Sequence, residues 1–199
     1  MNKELSIPLS PVAVAGPTRV STLLRAGGIL VGGSLLAAAC AHVAIPLFFT
    51  PVPLSLAPFA VLALGLLVKP RMAAAAFAAY LLEGAAGLPV FAPSPAISGV
   101  AHLFGPTGGY LLAYPLAAAL ISFLYRRTSR GFPAALACAA TGDLAILACG
   151  AVWLAAITPL PALSVTTLAV FPFLPGDALK VAAAAAVGAG FYRLRRRAA

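Results

Sequence analysis

Acidic residues are almost missing from this chain: 199 residues hold four Asp and Glu against thirteen Lys and Arg. Charged residues of both signs make up 9% of the sequence and hydrophobic ones 62%, whereas a soluble domain is ~25% charged. That poverty of charge extends along nearly the whole length, which excludes a soluble domain held by one anchor. Cysteine is also scarce. Cys40, Cys138 and Cys149 all lie in apolar runs, and an odd number without CxxC spacing supports neither a disulfide framework nor a metal site. They read as small packing residues. GxxxxGK[ST] is absent, so the chain has no P-loop for ATP. No basic n-region runs into an apolar h-region at the start, so no cleavable signal peptide is expected.

What remains is a series of apolar runs. The first covers residues 28–47, long enough to span a bilayer, and carries Gly33, Ala37 and Ala41 at four-residue spacing. Such a small-residue stripe lets another helix approach closely, either inside the chain or as a docking face for a partner membrane protein. Pro51-Val52-Pro53 ends it. A short second run, 54–68, is interrupted by Pro58, a sign of backbone that lines a cavity rather than facing lipid. The third (72–88), fourth (108–125), fifth (132–157) and sixth (175–192) follow. Between the third and fourth, Gly87 to Tyr110 holds five glycines, four prolines and no formal charge.

The fold class expected is therefore an all-α integral membrane protein with six transmembrane helices. Its parts are an N-terminal tail (1–27), a membrane domain (28–192) and a basic C-terminal tail (193–199). In a soluble protein the net charge of +9 would suggest nucleic acid, but here the basic residues sit in short segments between spans. With a cytoplasmic N-terminus, twelve of the thirteen fall on the cytoplasmic side: Lys3, Arg19, Arg25, Lys69, Arg71, Arg126, Arg127, Arg130 and the four arginines from Arg193 to Arg197. The three opposite loops hold none. This satisfies the positive-inside rule, places both termini in the cytoplasm, and leaves the lipid bilayer, not nucleic acid, as the partner of the charge.

The thirteenth, Lys180, lies inside the sixth run. Asp177 precedes it by three residues and shares its helix face. Ionisable residues within a span are expensive and face a protein interior or a watery cavity. The two are either a structural ion pair or a polar anchor for a solute bearing both donors and acceptors. Tyr80 and Glu83, near the outer end of the third run, are candidates for the same cavity; an interfacial Glu and an aromatic belt are the plainer alternative. Asp143, deeper in the fifth run, reads as a helix-packing polar group or a proton-linked carboxylate. His42 reads as an interfacial residue. Ser98 and His102 are not a nucleophile and base: Ala96-Ile97-Ser98-Gly99 lacks the first glycine of GxSG and the pair sits in a loop. The chain is read as not an enzyme.

Three motifs in order carry a family likeness: Gly87-Leu88-Pro89-Val90-Phe91-Ala92, then Gly105-Pro106-Thr107-Gly108-Gly109-Tyr110-Leu111, then Pro172-Phe173-Leu174-Pro175-Gly176-Asp177 with Lys180. Together they resemble the BioY family of biotin transporters, substrate-binding S components of energy-coupling factor (ECF) transporters. The resemblance covers the third to sixth runs well and the first two more loosely. It implies a multi-pass protein of the bacterial cytoplasmic membrane that captures biotin from outside with high affinity. It also implies a transmembrane coupling protein and two ATPase subunits as partners, which use the ATP; no cofactor belongs to this chain. Self-association into a homo-oligomer is compatible with this.

The family's ligand-contacting Asp and Lys fall on Asp177 and Lys180. Phe91 and Tyr80 are expected to contact the fused rings, with Glu83 in the same wall. A lid is expected from loops 48–53, 87–109 and 158–175, with Gly87, Pro89, Gly105, Pro106, Thr107, Gly108 and Gly109 in its middle member. Gly33, Ala37 and Ala41 are the candidate partner-docking face. The competing reading is a proton-coupled secondary transporter of a small solute acting alone through Asp143 or Glu83; a third is a structural membrane subunit without a ligand.

Overall fold

The computed structural model describes residues 19–93 and 98–198. Expectations for most of the N-terminal tail and for residues 94–97 of the middle lid loop lie outside the described residues. The chain is mostly helical: α1 (Arg19–His42), α2 (Ala57–Leu67), α3 (Pro70–Ala85), α4 (Ala101–Phe104), α5 (Gly108–Arg126), α6 (Phe132–Ile157), α7 (Ala162–Ala169) and α8 (Leu174–Arg197). Two short strands, β1 (Ala44–Ile45) and β2 (Leu54–Ser55), pair antiparallel with Ala44 opposite Ser55 and Ile45 opposite Leu54.

Proline sets several helix starts. Pro58, Pro70, Pro133 and Pro175 each stand in the first turn of a helix, where the missing N–H has no intrahelical acceptor to satisfy. Pro58 therefore opens α2 rather than interrupting it. The Pro51-Val52-Pro53 segment is the loop of the β1–β2 hairpin, which sequence reading did not resolve. Gly87 ends α3. Its N–H donates to Gly84 O at 3.0 Å and Leu88 N–H donates to Glu83 O at 3.1 Å, the paired bonds of a Schellman cap. That cap requires the left-handed φ of +93° found at Gly87, open to glycine without steric cost.

α5 packs on α6, α3 and α2; α8 packs on α2 and α6; α1 lies against α3 and α2. Ala-rich faces make the close approaches, with Ala37, Ala60, Ala73, Ala76, Ala118 and Ala139 fully buried. The docking expectation for Gly33, Ala37 and Ala41 is corrected here. Ala37 and Ala41 are buried, and a side-chain carbon added at Gly33 would meet Leu64 of α2 and Ala76 of α3. The stripe is internal packing, because it is the face by which α1 joins the bundle.

Among the described residues, three helices are long and apolar enough to cross a membrane: Val20–His42, Gly108–Arg126 and Phe132–Ile157. α7 and α8, bent by 49° at their junction, pass as a fourth span when taken together. α2 has only 11 residues and α3 has 16. Boundaries also move: α1 includes residues 19–27 of the expected tail and stops at His42, while α8 continues to Arg197 through the expected C-terminal tail.

Candidate functional site

One end of the bundle holds a cavity of about 250 Å³. It lies at the start of α2, and its wall comes from the β1–β2 hairpin, the beginnings of α2, α5 and α8, the C-terminal half of α3, the middle of α6, and the loop around Phe91. At its polar side Lys180 Nζ meets Asp177 Oδ1 at 2.8 Å, with both side chains buried. The register of α8 explains the pair: residues three apart share a face, and Asp177 stands in the first turn, where the helix dipole favours an anion. Asp143, buried on α6, faces the same space.

The apolar side is aromatic. Tyr80 and Phe91 meet edge to face at 5.3 Å between centroids, and Tyr80 stacks on Tyr114 at 6.5 Å. Phe91 lies directly over Gly84, where any side chain would collide with its ring. His102 packs against the other side of Phe91, with centroids 5.3 Å apart. Burial pushes the His102 imidazole below its ordinary value, against a smaller raising effect of a hydrogen bond with the Ala92 backbone. Tyr80 carries a buried hydroxyl without a hydrogen-bond partner among the described residues.

Hydrogen bonds tie the covering segments together. Thr50 Oγ1 of the hairpin loop donates to Leu168 O of α7 at 2.8 Å and accepts from Val52 N–H at 3.3 Å. Tyr110 O–H donates to Ala169 O at 2.6 Å, and Trp153 Nε1–H of α6 donates to Gly105 O at 2.9 Å.

Of the residues singled out in the sequence, Asp177, Lys180, Tyr80 and Phe91 line this cavity, as do Pro106 and Thr107. Glu83 does not. Its carboxylate accepts from the Ser34 hydroxyl of α1, because α3 is packed between α5 and α1 and its successive faces meet different neighbours. Gly87 and Pro89 are exposed at the end of α3. Gly105 holds Trp153, and Gly108 and Gly109 open α5 against that same indole; these glycines shape the loop without lining the space. Thr50, His102, Tyr110, Tyr114 and Phe173 line the cavity and were not singled out as binding residues. Tyr110 had a signal, as the last residue of the GPTGGY motif; Tyr114 follows it by one helical turn. Among the described residues, no group of three or more His, Cys, Asp or Glu is placed to hold a metal.

A bundle of membrane-spanning helices enclosing a cavity with an aromatic wall and a buried ion pair defines an integral membrane protein built around a small-molecule site. The sequence model of the BioY family matches residues 15–197, and the chain belongs to that family. A probable biotin transporter BioY of Pyrococcus horikoshii is 37% identical over 134 residues, covering 67% of this chain and 76% of that protein. The biotin transporter BioY2 of Lactococcus lactis subsp. cremoris is 36% identical over 138 residues, 67% of this chain and 71% of that one. A solved S-component for biotin from an ECF-type ABC transporter shares the fold, with a TM-score of 0.79 over 91% of this chain and 95% of that chain, at 24% identity.

Proposed function

We propose that this protein captures biotin in the cavity at the start of α2 and serves as the S component of an ECF-type transporter. The observation that carries the reading is the Asp177–Lys180 pair, buried in the wall of a cavity otherwise lined by aromatic and apolar groups. Small-molecule sites combine such apolar walls with a few placed polar groups. Biotin offers ureido N–H donors, a ureido carbonyl and a carboxylate. Asp177 and Asp143 suit the donors and Lys180 suits the oxygens, and the fused rings suit Phe91, Tyr80 and Tyr114. Family membership and the curated biotin transporters among its relatives support the substrate.

The bundle would present α1, α2, α3, α5, α6 and α8 as six crossings, with both termini cytoplasmic in a bacterial cytoplasmic membrane. The hairpin loop, residues 87–93 and 98–109, and residues 158–175 with α7 form the lid. A transmembrane coupling protein and two ATPase subunits, which consume the ATP, drive release.

The test is labelled-biotin binding to the purified full chain, comparing wild type with Asp177→Asn and Lys180→Ala. Tight binding by wild type and a loss of up to about a hundredfold in each variant is expected, since a hydrogen bond to a charged group contributes ~1.5–3 kcal/mol. Undetectable binding by well-folded wild type would sink the substrate. Equal affinity in all three would sink the site.

A further inference from the structure

The chain's acidic residues are Glu4, Glu83, Asp143 and Asp177. Glu83 meets Ser34, Asp143 and Asp177 face the cavity, and Glu4 lies outside the described residues. The arginines at the opposite end of the bundle therefore have no carboxylate beside them among the described residues. Three of them, Arg126, Arg130 and Arg195, converge on one cleft between the far ends of α2, α5 and α8, which Leu66, Leu67 and Phe191 also line.

Each of these side chains has a partner within the chain, Arg195 through the Phe191 ring, 5.8 Å from its centroid. Arg130 has a left-handed φ of 58°. Its carbonyl accepts from the Tyr125 hydroxyl at 2.7 Å, and its N–H donates to Thr128 Oγ1 at 3.3 Å. Its guanidinium lies over the Tyr192 ring, 5.3 Å from the centroid. Arg126 Nε–H donates to Ser122 Oγ at 3.4 Å, and that hydroxyl donates to Val68 O just beyond α2 at 2.5 Å. Diffuse attraction of basic residues to a membrane surface requires no such fixing. Three like charges gathered in one cleft repel one another until an anion joins them, and the guanidinium fork matches phosphate oxygens. The apolar lining suits a phosphate that carries hydrocarbon, and helix ends stand at the level where headgroups lie.

We propose that the cleft between α2, α5 and α8 binds the phosphate headgroup of an anionic phospholipid. Occupancy neutralises the three arginines and fixes the end of the bundle remote from the cavity.

The experiment is native mass spectrometry of the purified, delipidated full chain, offered phosphatidylglycerol, phosphatidylcholine or inorganic phosphate. Wild type should retain phosphatidylglycerol over phosphatidylcholine by about tenfold. The cleft variant R126Q/R130Q/R195Q should lose that preference, while R193Q/R196Q/R197Q, with the same change of charge, should keep it. Helical circular dichroism checks folding; if the cleft triple fails it, Arg130→Gln alone takes its place, with a partial loss expected. Equal retention of the two lipids by wild type overturns the proposal. So does the same loss in both triples, which would mark diffuse charge attraction. Displacement of phosphatidylglycerol by inorganic phosphate would reassign the cleft to a free anion and overturn the lipid.

Discussion

Tyr80 is fully buried among the residues lining the cavity, with its ring flanked by Phe91 and Tyr114 and its hydroxyl without a hydrogen-bond partner among the described residues. An unsatisfied buried hydroxyl costs about 1–3 kcal/mol, a burden removed when a ligand or an ordered water supplies a partner. Tyr80→Phe should accordingly leave the melting temperature of the free protein unchanged or slightly raised, while biotin affinity falls about fivefold. Titration calorimetry beside a thermal melt separates the two effects; full affinity in the variant would remove the hydroxyl from the site. At this scale Asp177 and Lys180 were readable because a charge inside an apolar run requires an explanation whatever the fold. Glu83 was misplaced for a physical reason. Three residues from Tyr80, it is rotated ~60° around the helix, enough to turn from the cavity toward α1. His102 was unreadable as a wall residue, because only the fold of the intervening loop brings it onto Phe91.

The six apolar runs each correspond to a helix, since hydrophobicity survives any packing arrangement. The hairpin and α7 were not legible: the first is two residues per strand, and the second stands between prolines in a stretch that reads as loop. Pro58 was misread as an interruption because a proline tells of a boundary without telling on which side the helix lies. The small-residue stripe shows the same ambiguity, since a face that permits close approach does not reveal what approaches. Its internal use gives a direct test. Ala37→Leu should destabilise the isolated chain by about 1–3 kcal/mol through overpacking of α1 against its neighbours, read as a lowered denaturation midpoint in detergent. A docking face would leave the isolated chain's stability untouched.

The whole molecule has two unlike ends. α2, α5 and α8 each contribute their beginnings to the cavity and their ends to the arginine cleft. The charge asymmetry in the sequence, together with this arrangement, predicts the orientation. In a background lacking the native cysteines, Ser98→Cys should react with a membrane-impermeant maleimide on intact cells. Ser129→Cys should react only after permeabilisation. Reversed labelling would turn the molecule over and put the cavity on the cytoplasmic side.

The shortness of α2 has a kinetic meaning. Its 11 residues rise only about 16 Å, roughly half of the ~30 Å hydrocarbon core, and the cavity lies at its first residues, Ala57 and Pro58. A solute seated there has travelled much of the barrier before any helix moves. Transport then amounts to opening the remaining plug, the depth of one short helix, which limits how far the bundle must rearrange in each cycle.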